Sequence, residues 1–289
     1  MTESIYKTEK AKEEILRLYD ERLKACNIEY EDIYVDTFAG RTHVIATGDK
    51  SYPPLIILHG INAGAPMALE SIKGLNKKFR IYGIDTVGQS TKSAETRLPM
   101  QGADYGKWIV EVMDKMGIEK AFFIGVSFGA FLLQKVMVYY PERIMKGIFV
   151  VPSGFVNGPF FKSMQKLTFP LIKFMRSKAE KDLTKFMEAF YSEIDAPAIA
   201  FQKSVLLGVK VDYRRPIILQ AKDVEKHSAP VYAMVADDDI FFPGHIALEK
   251  CKDIFTNFKG SYVLKNSKHI PAKNRYAEIE QQIGKWLAE

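Results

Sequence analysis

The chain has 289 residues, 47% of them hydrophobic and 26% charged, enough for one large domain or a domain with an inserted lobe. Its 41 Lys and Arg exceed its 35 Asp and Glu to give a net charge of +6, but no run of five basic residues appears, which argues for solvated surface and against a nucleic-acid partner. The charged amino terminus lacks the apolar core of a secretory signal, no apolar segment approaches the roughly 20 residues of a membrane span, and Cys26 and Cys251 stand alone, so a reducing, cytoplasmic setting without stable membrane insertion is expected.

Residues 8–25 read as an amphipathic helix, because Ile15, Leu16, Tyr19 and Leu23 recur at helical spacing. The stretches 32–38 and 42–47 read as strands of an antiparallel hairpin around Ala39-Gly40-Arg41. Leu55-Ile56-Ile57-Leu58 is a pure apolar run, as expected of a strand covered on both faces. His59-Gly60-Ile61-Asn62 follows at its carboxyl end, where open α/β sheets place ligands. A helix is predicted over 66–77, a strand over 79–84 ending at Asp85, and a helix over 104–116 closed by Gly117.

Ala121 to Ile124 is again an apolar strand. It turns at Gly125-Val126-Ser127-Phe128-Gly129 into a helix that ends before Pro141. Gly-x-Ser-x-Gly between strand and helix is a nucleophile elbow: the strained turn lifts the serine hydroxyl above the sheet, and Gly125 and Gly129 leave room for neighbouring backbone. After the strand 144–151 the strand–helix rhythm stops. Residues 153–229 read as a helical lid rich in Phe, Met and Lys, with Phe155, Phe160, Phe161, Phe169, Phe174 and Met175 as candidate pocket residues. The rhythm resumes with strands over 231–236 and 260–265 and helices over 244–255 and 276–287.

A serine hydroxyl needs a base, usually His, and a carboxylate that orients it. In strand–turn–helix hydrolases the order is Ser, acid, His. His43, His59 and His227 precede the candidate acid, and His245 sits where a helix starts, which leaves His269 as base. His59 and Asp85 are read as loop-shaping groups. Asp237-Asp238-Asp239 supplies the acid, with Asp239 preferred over Asp238 and then Asp237, and at least one of the three facing solvent. The backbone N–H groups of Phe128 and Ile61, with Asn62 behind Ile61, are the candidate oxyanion donors. No metal-ligand cluster, P-loop or dinucleotide fingerprint is present, so no metal or cofactor is expected.

Taken together, His59-Gly60, Asp85-x-x-Gly88-x-Ser90, the Ser127 elbow, Asp239-x-x-x-Pro243 and Lys268-His269 make residues 30 to 288 resemble the α/β-hydrolase superfamily. The phrase Arg41 to Ala46, the turn Pro141-Glu142-Arg143 and the amino-terminal helix are similar to bacterial carboxylesterases that cleave bulky aryl-propionate esters. The resemblance implies a mostly parallel eight-stranded sheet flanked by helices, with a helical lid after the sixth strand. Residues 1–152 and 230–289 would form the core, with 1–28 as an amino-terminal helix, and 153–229 the lid. It also implies ester hydrolysis through an acyl-enzyme on Ser127, with an apolar small-molecule ester held by Asn62, Phe155 and Phe160, in a monomer or homodimer. Two departures stand out: Gln89 where a small residue is common, and Lys268 in place of Gly before the histidine, a charge expected to bear on the imidazole or to steer anionic substrates. Thioester, amide, lactone or carbon–carbon hydrolysis, perhydrolysis, ligand sensing with slow turnover, and a lipase whose basic lid docks on membranes are the rival readings.

Overall fold

The computed structural model describes residues 3–289. Helix α1 (Glu9–Ala25) precedes strands β1 (Glu31–Thr37), β2 (Gly40–Thr47) and β3 (Pro54–Leu58), helix α2 (Ala65–Glu70) and strand β4 (Arg80–Ile84). Next come α3 (Asp104–Lys115), β5 (Ala121–Val126), α4 (Phe128–Tyr139) and β6 (Ile144–Val150). Four helices then intervene, α5 (Phe160–Ser163), α6 (Phe169–Ser177), α7 (Glu180–Met187) and α8 (Ala196–Gly208). The chain closes with β7 (Val231–Ala236), α9 (Gly244–Ile254), β8 (Phe258–Leu264) and α10 (Tyr276–Ala288). The strands form one sheet in the order β1-β2-β4-β3-β5-β6-β7-β8, antiparallel only where β2 meets β1 and β4. The expected eight-stranded, mostly parallel sheet is therefore the one observed.

The period-two alternation of side chains sorts each apolar run into two cores. Ile56, Leu58, Phe123 and Phe149 face α3, α4 and α9, whereas Leu55, Ile57, Ile124 and Ile148 face α1, α2 and α10. A strand buried on both faces must be apolar throughout, and all of β7 is. A separate core forms between α6, α7 and α8 around Phe174, Leu183, Met187 and Ala198. The amino-terminal segment joins α8 to the body. Ile5, Tyr6 and Ile15 pack on Phe201, Val205 and Val209, and the Lys7 and Lys210 N–H groups donate to the Gly208 and Ile5 carbonyls at 2.8 and 2.7 Å.

Three local expectations change. The hairpin turn is Phe38-Ala39 rather than Ala39-Gly40-Arg41, because Thr37 already pairs with Gly40 and Gly40 takes φ +101°. The helix predicted over 66–77 is α2 followed by a 3₁₀ turn, Lys73–Lys77. Ser71 Oγ donates to the Ala68 carbonyl at 2.9 Å and the Gly74 N–H to Glu280 of α10 at 2.6 Å, so docking on α10 overrides helical continuity. Between α5 and α6 runs a π-turn, Met164–Thr168, just ahead of Pro170, which supplies no N–H to the helix.

His227 sits buried against the Phe255 ring, and neither of its ring nitrogens makes a hydrogen bond. Burial pushes its imidazole down to about 4. Because the folded value lies below that of the unfolded chain, about 6.5, the contribution is complete above pH 6.5 and is lost as pH falls toward 4. His227→Phe is expected to flatten the fall in unfolding free energy over that window by about 3 kcal/mol. Chemical denaturation at several pH values checks it, and an unchanged slope would refute it.

Candidate active site

Strand β5 ends at Val126, and Ser127 adopts φ 52°, ψ −114° before α4 begins. This conformation strains a residue with a side chain, and only crowding on all sides maintains it. A side-chain carbon on Gly125 would lie 2.7 Å from Ala130 Cα, and one on Gly129 only 2.0 Å from the Leu58 carbonyl oxygen. Both glycines are thus required by the backbone that packs beside the elbow. The loop after β6 holds the turn from the other side. Ser127 N–H donates to the Val150 carbonyl at 2.9 Å, while the Ser127 carbonyl accepts from Ser153 N–H at 3.2 Å and Ser153 Oγ at 2.9 Å. Gln134 of α4 donates to the Ser153 carbonyl at 3.0 Å. Val151 is itself strained, with φ 42°.

Ser127 Oγ lies 3.0 Å from His269 Nε2, and His269 Nδ1 lies 2.7 Å from Asp239 Oδ2. A carboxylate can only accept, so the ring proton sits on Nδ1 and Nε2 is left to accept from the serine hydroxyl. Asp239 Oδ1 accepts from the Phe241 and Phe242 N–H groups at 2.8 and 3.1 Å, which fixes the carboxylate from behind. The rings of Phe241 and Phe242 stand edge-on to the imidazole at 5.0 and 5.5 Å and shield it from water. The three consecutive aspartates divide three tasks. Asp238 is exposed and 3.5 Å from Lys162. Asp237 accepts from the Asn266 and Ser267 N–H groups at 2.9 and 3.1 Å. Partial burial raises its carboxyl, but these amides outweigh that and hold it below the usual carboxylate range.

The loop carrying His269 is gripped on its other side by residues 188–192. Lys268 Nζ donates to the Glu188 carbonyl at 2.5 Å and Lys268 N–H to Ser192 Oγ at 2.9 Å. Beyond the histidine, Ser192 N–H donates to the Ile270 carbonyl at 2.9 Å and Ile270 N–H to the Phe190 carbonyl at 2.8 Å. The Lys268 ammonium, expected to bear on the imidazole or to steer anionic substrates, is thus held at the carboxyl end of α7, where a cation is favoured, and does not line the cavity.

The loop after β3 faces Ser127 from across the sheet edge. A side-chain carbon on Gly60 would lie 3.8 Å from Ser127 Oγ. His59 is buried, with Nδ1 against the Gly60 carbonyl at 2.7 Å and Nε2 accepting from Thr86 N–H at 2.9 Å. Burial keeps it below the ordinary imidazole range, in spite of Asp85 nearby. Asn62 N–H donates to Gln89 Oε1 at 2.8 Å, and Asn62 Oδ1 accepts from Ser90 N–H at 3.1 Å. Gln89 thus engages the amide of Asn62. The N–H groups of Ile61 and Phe128 donate to no protein acceptor among the described residues.

Ser127 and His269 open into a cavity of about 380 Å³. Asn62 lines it, but Phe155 and Phe160 do not. Phe155 is 2% exposed and packs its ring on Phe149 and Phe255 in the core, while Phe160 is 70% exposed on the outer surface. Phe161 and Phe169 are also on the outside, and Phe174 lies inside the separate helical core. The insertion instead contributes Phe186, Phe190, Tyr191 and Phe201 to the wall, and α10 contributes Tyr276 and Ile283. The usable signal was spacing: Phe186 and Phe190 are four apart and, although α7 ends at Met187, their rings meet edge-on at 5.1 Å. No Asp, Glu, Lys or Arg lines the cavity. Among the described residues no three His, Cys, Asp or Glu side chains are grouped to hold a metal ion, and no helix is long and apolar enough to cross a membrane.

Comparison with known proteins matches residues 53–274 to the family model described as the alpha/beta hydrolase fold. The chain is 24% identical over 275 residues to the uncharacterized carboxylesterase nap of Bacillus subtilis, covering 92% of this chain and 89% of that protein. It is also 24% identical over 280 residues to carboxylesterase YbfK of the same organism, covering 93% and 92%. Among solved structures, naproxen esterase (carboxylesterase NP) from Bacillus subtilis superposes with a TM-score of 0.82 at 20% identity, covering 97% of this chain and 99% of that one.

Proposed function

The chain belongs to the alpha/beta hydrolase fold family, and from that premise we propose that it is a serine hydrolase that cleaves carboxylic esters through an acyl-enzyme on Ser127. The observation that carries this reading is the hydrogen-bonded chain Asp239–His269–Ser127 opening into an apolar, uncharged cavity. The similarity to two Bacillus subtilis carboxylesterases over 92% and 93% of the chain supports the ester specificity.

In this mechanism His269 Nε2 takes the hydroxyl proton as Ser127 Oγ attacks the ester carbonyl. Asp239 keeps the Nδ1 tautomer and balances the imidazolium charge. The free N–H groups of Ile61 and Phe128 receive the oxyanion, at positions fixed before substrate arrives. His269 then protonates the departing alcohol, and a water activated by the same nitrogen releases the acid. Helices α5 to α8, within residues 153–229, cap the site over a core of 1–152 and 230–289, and the substrate is a neutral, apolar small molecule. We place the enzyme in the cytoplasm, in keeping with two buried free thiols, of which burial pushes Cys26 up to about 11.

The test is hydrolysis of p-nitrophenyl esters of increasing chain length, alongside labelling by a fluorophosphonate. Turnover is expected to rise from acetate to medium chains as the apolar cavity fills, and then to fall. A protein that neither labels nor turns over any ester would sink the reading and leave a ligand-binding role.

A further inference from the structure

Catalysis as described uses the inner side of the inserted helices and leaves their outer side without a role. From Phe160 to Ser177 the chain runs as α5, the π-turn and α6, with Phe174 buried inward. On the outside Phe160 is 70% exposed, Phe161 85%, Phe169 58% and Ile172 43%. A single exposed phenylalanine is ordinary, but four large apolar side chains on one short helical segment form a patch. The π-turn contributes to its shape. Phe161 and Phe169 are eight residues apart, which on an α-helix leaves them about 80° out of line. The wider turn Met164–Thr168 lies between them and reduces that angle. Lys162, Lys166, Lys173, Arg176 and Lys178 are exposed on the same segment, and no Asp or Glu occurs in the sequence between Val151 and Ala179.

We propose that this face docks the protein reversibly on a bilayer surface carrying anionic lipid. The phenylalanines would enter the boundary between headgroups and acyl chains, and the cations would lie on the phosphates. Lys162 and Lys173 pair with Asp238 and Asp182 at 3.5 and 2.9 Å, while Lys166, Arg176 and Lys178 form no ion pair among the described residues. Charge decides between this occupant and a second copy of the chain: a two-fold contact would set those three cations against their counterparts. The face adjoins the reaction centre. A side chain at Gly158 would lie 2.1 Å from the Ile240 carbonyl, and Lys162 reaches Asp238, so both touch the loop that carries Asp239. The docking is independent of the ester chemistry and is measured apart from it.

The full chain would be sedimented with phosphatidylcholine vesicles and with phosphatidylcholine–phosphatidylglycerol vesicles, at low and high salt. Binding is expected only to the anionic vesicles and is expected to be lost at high salt. Lys166→Glu with Arg176→Glu, and separately Phe161→Ser with Phe169→Ser, are each expected to weaken it roughly tenfold. Turnover of a soluble ester should be unchanged in both. Lys10→Glu with Lys24→Glu, on the exposed side of α1, is the control and should bind as wild type. Three results would overturn the proposal: no binding to anionic vesicles at low salt, equal loss in the control, or a doubled solution mass abolished by the Phe161→Ser and Phe169→Ser pair, which would assign the face to a second copy.

Discussion

Ser127→Ala is expected to abolish fluorophosphonate labelling and to lower kcat on a p-nitrophenyl ester by a factor on the order of 10⁶, with little change in KM. The proposed acyl bond forms on the hydroxyl that His269 Nε2 meets at 3.0 Å, and a methyl in its place is expected to leave the cavity as it was. His269→Ala should cost about as much, because the two residues act as a unit. Asp239→Asn is expected to lose less, on the order of 10⁴. The amide can still accept from Phe241 and Phe242, but its NH₂ would face His269 Nδ1 and favour the wrong tautomer. Slow labelling of Asp239→Asn, with none in the other two, is the expected pattern. Substantial turnover by Ser127→Ala would rule out the acyl-enzyme.

The largest effect on stability is expected at Asp85, which is fully buried and takes no part in the hydrogen-bonded chain Asp239–His269–Ser127. Its Oδ2 accepts from Tyr19 Oη and His43 Nδ1, each at 2.8 Å, and Oδ1 from Ala65 N–H at 2.9 Å. One carboxylate thereby joins α1, the hairpin strand β2, the end of β4 and the start of α2. Burial alone would raise its carboxyl; the His43 hydrogen bond, the field of His43 and His59 and the Ala65 amide outweigh that and hold it below the usual range. A lowered value stabilises the fold above about pH 4 and loses that contribution as pH falls. Asp85→Ala strands several buried donors and is expected to destabilise by about 3–5 kcal/mol, or on the order of 10 °C in Tm. Thermal unfolding checks it. A drop of a degree or two would mean that the surrounding groups find other partners.

Residues whose chemistry and backbone needs coincide were legible in the sequence. Ser127 is such a residue, since its two glycines are demanded by contacts that any chain turning this sharply would make. Asp237 to Asp239 could be ranked by chain order and by the cost of burying three charges, although the turn that Asp237 holds was not visible. The cavity wall was misjudged for a physical reason. Aromatic content says that a helix has something to cover, but not which side it covers. Phe155 and Phe160 flank a loop whose path is decided by Gly158 packing on Ile240, a contact between distant parts of the chain. The partner of Lys268 was hidden in the same way: its position next to the histidine was plain, whereas the Glu188 carbonyl that holds it lies 80 residues away.

The grip of residues 188–192 on both sides of His269 bears on how such an enzyme can be re-engineered. Exchanging the inserted helices for those of a relative is an obvious route to new substrates. Here the exchange would also remove the partners of the main chain at Lys268 and Ile270. A chimera that kept Ser127, Asp239 and His269 would then fold with its imidazole free to wander. The boundary for grafting therefore falls inside the insertion, and Glu188 to Ser192 should travel with the histidine loop as if they belonged to the core.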